Sequence, residues 1–409
     1  MAMHKKEFNV SSPPHIVTVK GYGSDGTGVA LLEDGKVVFV RNAARGDVLE
    51  VRLINQRKRS AEAEIINMLT PSPYRIDPDC PVYPQCGGCD FRHITYEEEL
   101  DLKLQRVNDA IERIGGQTAR ANEILNTGQT DGYRNKAVFH SDGNSLGFYQ
   151  AGKHKVIAID RCLLLKDDLN DALGLLREDS PSGISCLPRE DYANETSCSA
   201  RKRYSGFQVC PAPDGEITLR SGRNGLNPPL EEQLDGLVFQ ISGFFQVNTG
   251  AALLLFRKAR EYAALSKNET LIDLYCGVGS LTLFVGRDAG HALGIELDPD
   301  AVQAARENAW RNNIYHVEFL CADAAQSIAA AAHPDCIIVD PPRRGLSPGA
   351  TARIIELSPS RIVYVSCDPA TLARDIRRLE GYIVKDITAV DMFPRTANVE
   401  CCCLLEKVK

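Results

Sequence analysis

Three sets of residues in this 409-residue chain have the types and spacing for chemistry. They are a glycine turn followed by a carboxylate, a thiol and carboxylates at the ends of apolar runs, and a group of cysteines after residue 80. The stretch Leu271-Ile-Asp-Leu-Tyr-Cys-Gly-Val-Gly-Ser280 reads as a buried strand that breaks into a turn and reopens as a helix. Gly277 and Gly279 let backbone approach a ligand with no Cβ in the way. The turn lacks the third glycine of dinucleotide folds, and Asp273 stands before it, which favours S-adenosylmethionine over a nicotinamide dinucleotide. The next strand ends in Glu296, about 20 residues on, the separation at which a carboxylate reaches ribose hydroxyls. Asp323, after a third strand, would meet adenine, and it also suits a helix N-cap.

Ser366-Cys367-Asp368-Pro369 and Asp340-Pro341-Pro342-Arg343 end two neighbouring strands, so one mouth would hold both. Methyltransferases acting on exocyclic base nitrogens follow Asp/Asn-Pro-Pro with an aromatic that stacks on the target. Arg343 occupies that place here. Enzymes that methylate carbon 5 of cytosine in RNA put a cysteine directly after the two prolines, and none follows here. What remains is a thiol, Cys367, facing a methyl donor. Carbon 5 of a pyrimidine is too weak a nucleophile to displace a methyl from a sulfonium unaided, and thiolate addition at carbon 6 creates an enolate that can. A base must then remove the carbon 5 proton before the thiol is expelled, and Glu400, at the start of the last strand, is the candidate.

Cys80, Cys86 and Cys89, with Gly87 and Gly88 between, read as one side of a metal or iron–sulfur site whose fourth ligand comes from elsewhere, with Cys162 the candidate. Only one Cys-x-x-Cys hook is present, so spacing alone leaves cluster and zinc both open. The spacing differs from the Cys-x-x-x-Cys-x-x-Cys of radical chemistry on S-adenosylmethionine. Cys401, Cys402 and Cys403 lie in an apolar strand and read as packing residues.

The elements that must position these groups fall into three regions. Five short strands between residues 15 and 70 predict a small closed barrel, with a hairpin at Asp34-Gly35. Gly21-Tyr-Gly-Ser-Asp-Gly-Thr-Gly28 is followed by a strand, so it reads as a loop and not as a phosphate cradle. Residues 1–60 carry ten Lys or Arg against six Asp or Glu, a local basic excess that suits RNA as well as a solvated face. Three prolines between Pro71 and Pro78 mark a linker. The spacing predicts a helix over 95–114, with Thr95 and Glu98 as a capping box, Leu100, Leu104, Val107, Ile111 and Ile114 as its apolar face and Gly115 as its stop. A strand-rich region follows to about residue 240, with hairpin signals at Asp142-Gly143 and Asp214-Gly215 and a Ser/Cys/Arg-rich piece around residues 197–203. A helix over 249–265 leads into alternating strands and helices, including one over 324–332. That alternation predicts a doubly wound sheet with ligands at the carboxyl ends of its strands.

The net charge of −7 and pI near 5.7 exclude a protein that coats nucleic acid indiscriminately. No apolar run is long enough to span a bilayer and none follows the first lysines, so a soluble, cytoplasmic protein with reduced cysteines is expected.

Taken together, Cys80/Cys86/Cys89/Cys162, Phe244-Phe-Gln-Val-Asn248, Asp273-Leu-Tyr-Cys-Gly-Val-Gly279, Asp340-Pro-Pro-Arg343, Ser366-Cys-Asp-Pro369 and Phe393-Pro-Arg-Thr-Ala-Asn-Val-Glu400 resemble the RNA 5-methyluridine methyltransferases with an N-terminal TRAM domain. The resemblance spans nearly the whole chain, and the six motifs occur in order. It departs at Ser280, where members often have Asn, and at Asn398, where His usually precedes Val-Glu. It implies Cys367 as nucleophile, Glu400 as base and a [4Fe-4S] cluster on the four cysteines. It further implies S-adenosylmethionine contacts from Gln246, Tyr275, Ser280, Glu296, Asp323 and Asp340, beside Gly277. The expected architecture is a TRAM β-barrel (1–70) that binds RNA, a central iron–sulfur domain (71–240) whose helix 95–114 packs on the catalytic domain, and a Rossmann-like methyltransferase domain (241–409). The expected substrate is a uridine in structured RNA, with 23S rRNA first because TRAM-bearing relatives favour it, and tRNA as the alternative. A non-catalytic RNA-binding iron–sulfur protein is the reading of another class. Neither a membrane nor an obligate protein partner is implied.

Overall fold

The computed structural model describes residues 13–142, 145–178, 210–211, 216–223, 230–241, 244–325 and 333–408. The features expected at Gly143, at Asp214-Gly215, around 197–203 and over 326–332 lie outside them. The chain forms two compact units. One takes the chain up to Pro84 with Cys89–Leu102 and Arg395–Ala397, and the other takes Gln85–Gly88, Lys103–Pro394 and Asn398 onward.

The first unit holds strands β1 (His15–Thr18), β2 (Gly21–Tyr22), β3 (Gly28–Leu31), β4 (Val37–Val40), β5 (Val48–Ile54) and β6 (Ser60–Thr70). Alternating residues such as Val38, Val40, Leu49, Val51, Ala61 and Ala63 enter one core. The hydrogen-bonded order is β1-β5-β6-β4-β3-β2, and Lys20, between β1 and β2, donates its N–H to Val29 O of β3 at 2.8 Å. Six strands stand where five were expected, in a curled half-barrel bent by bulges where β5 meets β6 near Val48 and Glu50. The two-residue β2 is too short to show as a hydrophobic pattern. Asp34-Gly35 forms the expected turn, with Asp34 Oδ1 accepting from Lys36 N at 2.9 Å.

Buried Asp47 anchors this unit. It accepts from Arg75 Nη2 at 2.7 Å, Ala44 N at 2.6 Å and Ser72 N at 2.8 Å. Burial opposes its ionisation, but these donors outweigh that and hold its carboxyl below the usual range.

Helix α1 (Tyr96–Arg113) matches its expected span to within a residue at each end. Glu98 N donates to Thr95 Oγ1 at 3.3 Å, but the Glu98 carboxylate pairs with Arg45 at 2.6 Å, so only half of the capping box forms. Val107 and Ile111 are buried in the core that holds Ile272, Ile337 and Tyr364, whereas Ile114, expected on the same face, lies past the end of the helix and is exposed.

In the second unit come β7 (Ile124–Leu125), β8 (Lys136–Ser141), β9 (Leu146–Tyr149), β10 (Val156–Ala158), α2 (Asp167–Glu178), β11 (Cys210–Pro211), β12 (Glu216–Arg220), β13 (Glu231–Leu234) and β14 (Leu237–Gln240). They make an antiparallel sheet ordered β10-β9-β8-β12-β11, with β13-β14 as a separate hairpin. This strand-rich region was expected as an iron–sulfur domain of its own. It clusters instead with the C-terminal sheet in one unit. Helix α2 was not expected. Its signal was Asp167 and Asp168 ahead of Leu169, Leu173 and Leu176 at helical spacing.

The C-terminal region contains α3 (Thr249–Ala263), β15 (Thr270–Leu274), α4 (Ser280–Gly286), β16 (His291–Glu296), α5 (Pro299–Arg311), β17 (Val317–Cys321), β18 (Cys336–Val339), α6 (Pro348–Leu357), β19 (Arg361–Ser366), α7 (Pro369–Ile376), β20 (Tyr382–Val390) and β21 (Glu400–Lys407). The sheet order is β17-β16-β15-β18-β19-β21-β20-β7. Strands β15 to β19 run parallel, as doubly winding requires, while β21 lies antiparallel between β19 and β20. Continuous apolar runs arise because both faces are covered: Cys336 and Ile338 enter one core and Ile337 and Val339 the other. Helix α6 was also missed, although Ser347-Pro348 announces it. Ser347 Oγ accepts from Ala350 N at 3.1 Å.

Candidate active site

The chain reverses direction across the sheet between β15 and β18, and such a switch point opens a crevice at the carboxyl ends of the strands. Tyr275, Gly277 and Gly279 turn the chain there with φ of 66°, 53° and 78°. The two glycines serve different ends. A Cβ on Gly277 would meet nothing within 4 Å, whereas one on Gly279 would lie 2.7 Å from Phe319 and 2.9 Å from Ala305. Close approach of a ligand therefore explains Gly277, and close packing of α5 and β17 explains Gly279.

Gln246, Tyr275, Gly277, Ser280 and Asp340 line one pocket at this crevice, with Phe244, Asp273 and Cys276. Glu296 stands at its rim, where Oε2 accepts from Gly277 N at 3.1 Å and Oε1 accepts from Leu297 N at 2.7 Å and Asp298 N at 3.0 Å. Asp323 is exposed and does not line the pocket. Its Oδ1 accepts from Ala325 N at 2.7 Å, as a capping residue does, while its charge reaches Tyr275. Burial pushes Asp273 up to about 8 against the lowering pull of Thr282, whose hydroxyl donates to Oδ2 at 2.5 Å. Asp273 Oδ1 is buried without a hydrogen-bond partner. A buried acceptor awaiting a donor, an open glycine and desolvated carboxylates around one crevice fit a cationic, amine-bearing adenosyl cofactor.

The reactive corner lies where β18, β19 and β21 meet. Cys367 follows β19, Asp340 follows β18, and Glu400 opens β21 at the same end because β21 runs antiparallel: Ser366 pairs with Cys401. Asp368 Oδ1 accepts from Thr371 N at 2.7 Å and caps α7, which fixes the turn carrying the thiol. Half-buried Cys367 is pushed up to about 11, by desolvation first and then by Glu400 and Asp340, with Arg343 pulling the other way. Glu400 is buried and raised well above the carboxylate range by desolvation and by Asp340, and again Arg343 opposes. Desolvation likewise raises Asp340 to about 7. The thiol, both carboxylates and the guanidinium thus act on one another. Cys276, Cys401, Cys402 and Cys403 are buried and raised by desolvation, which suits packing.

The four cysteines expected to hold a cluster are partly exposed and not in disulfides. Cys86 lies in the second unit, where its Sγ accepts from Gly88 N at 3.4 Å, and Cys162 N donates to Asn170 Oδ1 at 2.8 Å in the same unit. Cys80 and Cys89 belong to the first unit. The donors suit iron or zinc by type, but among the described residues no three His, Cys, Asp or Glu side chains are gathered to hold a metal ion. The [4Fe-4S] cluster expected on these four cysteines thus has no support from the described residues. Sequence reasoning also missed Lys103 and Asp391, a fully buried ion pair at 2.6 Å. Its one signal was a lysine inside the apolar stripe of α1.

Residues 16–66 match the TRAM domain family, and residues 237–408 match the tRNA (Uracil-5-)-methyltransferase family. An uncharacterized RNA methyltransferase of Bacillus cereus is 34% identical, with the alignment covering 94% of this chain and 95% of that protein. One from Synechocystis sp. is 33% identical, covering 96% and 95%. Among solved structures, the Pyrococcus abyssi tRNA (uracil-54, C5)-methyltransferase in complex with S-adenosyl-L-homocysteine shares the fold, with a TM-score of 0.71 at 24% identity over 95% of this chain and 99% of that one. No helix among the described residues is long and apolar enough to cross a membrane. Full-length relatives above 30% identity, joined to the two matches, set aside the non-catalytic reading: the chain belongs to the S-adenosylmethionine-dependent RNA (uracil-C5) methyltransferases that carry an N-terminal TRAM domain.

Proposed function

We propose that this enzyme methylates carbon 5 of a uridine in structured tRNA through a covalent bond between Cys367 Sγ and carbon 6 of the base, with Glu400 removing the carbon 5 proton. The observation that carries this reading is the convergence of a half-buried thiol, two desolvated carboxylates and Arg343 at one end of the sheet. Bound S-adenosylmethionine supplies an electrophilic methyl group. Gln246, Tyr275, Gly277, Ser280 and Asp340 would hold it in the pocket, with Glu296 the candidate for its ribose hydroxyls and Asp323 the candidate for its adenine. Cys367 attacks as thiolate, and Arg343 is the nearby charge that favours this form. A carboxylate raised by desolvation, as Glu400 is, binds a proton well and so suits removal of one from carbon. The target uridine has to leave its stack for the thiol to reach carbon 6.

Ribosomal RNA is the substrate expected from the sequence. The description of the matching family and the name of the Pyrococcus abyssi enzyme both specify tRNA, and they favour the alternative. RNA containing 5-fluorouridine tests the chemistry, because fluorine cannot leave as a proton and an active enzyme stays bound to its RNA. Loss of that adduct in Cys367→Ala with survival in Cys276→Ala supports the assignment; the reverse overturns it. Mapping 5-methyluridine in tRNA and rRNA from cells lacking the protein tests the substrate, and loss from 23S rRNA alone would restore the ribosomal reading. We further propose that Cys80, Cys86, Cys89 and Cys162 take up a [4Fe-4S] cluster when iron is supplied. Their thiol donors support this, and no catalytic step passes through it. Protein purified without oxygen is then brown, with iron near four per chain as the cluster formula requires; zinc alone would exclude the cluster.

A further inference from the structure

Helix α1 carries one cation where its apolar stripe calls for a hydrophobic side chain. The Lys103 side chain is 1% exposed, and its Nζ donates to Asp391 Oδ1 at 2.6 Å and to Phe393 O at 3.1 Å. Asp391 directly follows Val390, the strand partner of Glu400. Three other groups hold the same short segment: Asp391 N donates to Leu125 O at 2.8 Å, Asn248 Nδ2 to Met392 O at 3.3 Å, and Tyr133 OH to Pro394 O at 3.0 Å. Next along α1, Arg106 lies 3.8 Å from Asp368, the residue after Cys367. One helix therefore reaches both the segment beside Glu400 and the turn bearing the thiol. A buried ion pair costs desolvation that an apolar pair would not, which directs attention to what it fixes in place.

We infer that Lys103 is a positioning residue for proton removal. It fixes Asp391 and Val390, and through them sets the Glu400 carboxylate against the carbon 5 proton. This rests on the reading of Glu400 as the base. In that step the carbon 5–hydrogen bond breaks and the proton passes to Glu400. The electron pair forms the carbon 5–carbon 6 double bond, and the carbon 6–Sγ bond breaks with the thiolate leaving. A displaced Glu400 leaves adduct formation and methyl transfer intact and strands the methylated RNA on Cys367.

The test compares full-length wild type, Lys103→Met, the double variant Lys103→Met/Asp391→Asn, Lys103→Arg and Glu400→Gln. The double variant removes both charges and so leaves none buried alone. Each is mixed with S-adenosylmethionine and total RNA from cells lacking the protein, and methylated covalent protein–RNA is resolved on denaturing gels alongside kcat, KM and thermal melting. In the double variant we expect an unchanged KM, a kcat lowered about 100-fold and accumulation of methylated adduct as in Glu400→Gln, with partial rescue in Lys103→Arg. A folded double variant with wild-type turnover overturns the inference, as does one in which adduct formation and release slow equally. Slow turnover of Glu400→Gln without adduct would instead overturn the assignment of the base.

Discussion

Asp47 in the first unit and Asp273 in the second are both buried carboxylates, at 0% and 1% exposure, but their surroundings differ in kind. Asp47 is saturated with donors from Arg75, Ala44 and Ser72 and is held below the usual carboxylate range. Asp273 has one hydroxyl on Oδ2 and nothing on Oδ1, and burial pushes it up to about 8. The first is a complete structural anchor. The second keeps a vacancy in its hydrogen bonding that a ligand can fill. Asp340, on the same pocket, and Glu400, at the start of β21, are likewise raised by desolvation, as acids in active sites often are.

The sharpest way to break this contrast lies at the thiol. Cys367→Ala should lower methyl transfer by about 10,000-fold or more, because covalent activation of carbon 5 is lost. Cys276→Ala, which removes a buried pocket-wall thiol, should retain turnover within about tenfold. Equal losses in rapid-quench assays would mean that Cys367 is no more than a packing residue.

Identical substitutions at the two aspartates come next. Asp47→Asn leaves the Arg75 guanidinium without its charge partner and should cost about 3 kcal/mol, read as a lower urea midpoint. Asp273→Asn removes a carboxyl whose burial costs stability as pH rises toward about 8, and should raise the midpoint at neutral pH while weakening S-adenosylmethionine binding about tenfold by calorimetry. Matching losses of stability would erase the distinction.

The pH slopes of stability should also oppose one another. Asp47, with its lowered value, contributes stability that is present above its unfolded pKa and lost as pH falls through its folded one. Asp273, with its raised value, contributes stability that is present below the ordinary carboxylate pKa and lost as pH rises toward about 8. Unfolding of Asp47→Asn and Asp273→Asn against wild type from pH 3 to 9 checks both signs. A kinetic profile sharpens the contrast further: with the Cys367 thiol at about 11, adduct formation should rise about tenfold per pH unit between 7 and 9. A flat profile would show that RNA or cofactor lowers the thiol on binding.

Much of the pocket was legible because its parts are local in sequence. The turn at Gly277, the strand ends at Asp340 and Cys367 and the carboxylate at Glu296 each announce themselves within a few residues. The sixth strand of the half-barrel was not legible, since the two residues of β2 are too few to show a pattern. Helices α2 and α6 escaped despite the acidic first turn of one and the Ser347 cap of the other, because short apolar runs do not separate strand from helix by period alone.

The order of residues along the chain determined which side chains could be nucleophile, base and cofactor ligands, and it fixed the alternation that buries both faces of the sheet. Only the folded structure decided that β21 runs antiparallel, which brings Glu400 to the same end as Cys367 across the Ser366–Cys401 pairing. Only the fold joined Lys103 to Asp391 over 288 positions. Periodicity and motif chemistry are properties of a few neighbouring residues, whereas strand direction and long-range pairing arise when the whole chain is packed.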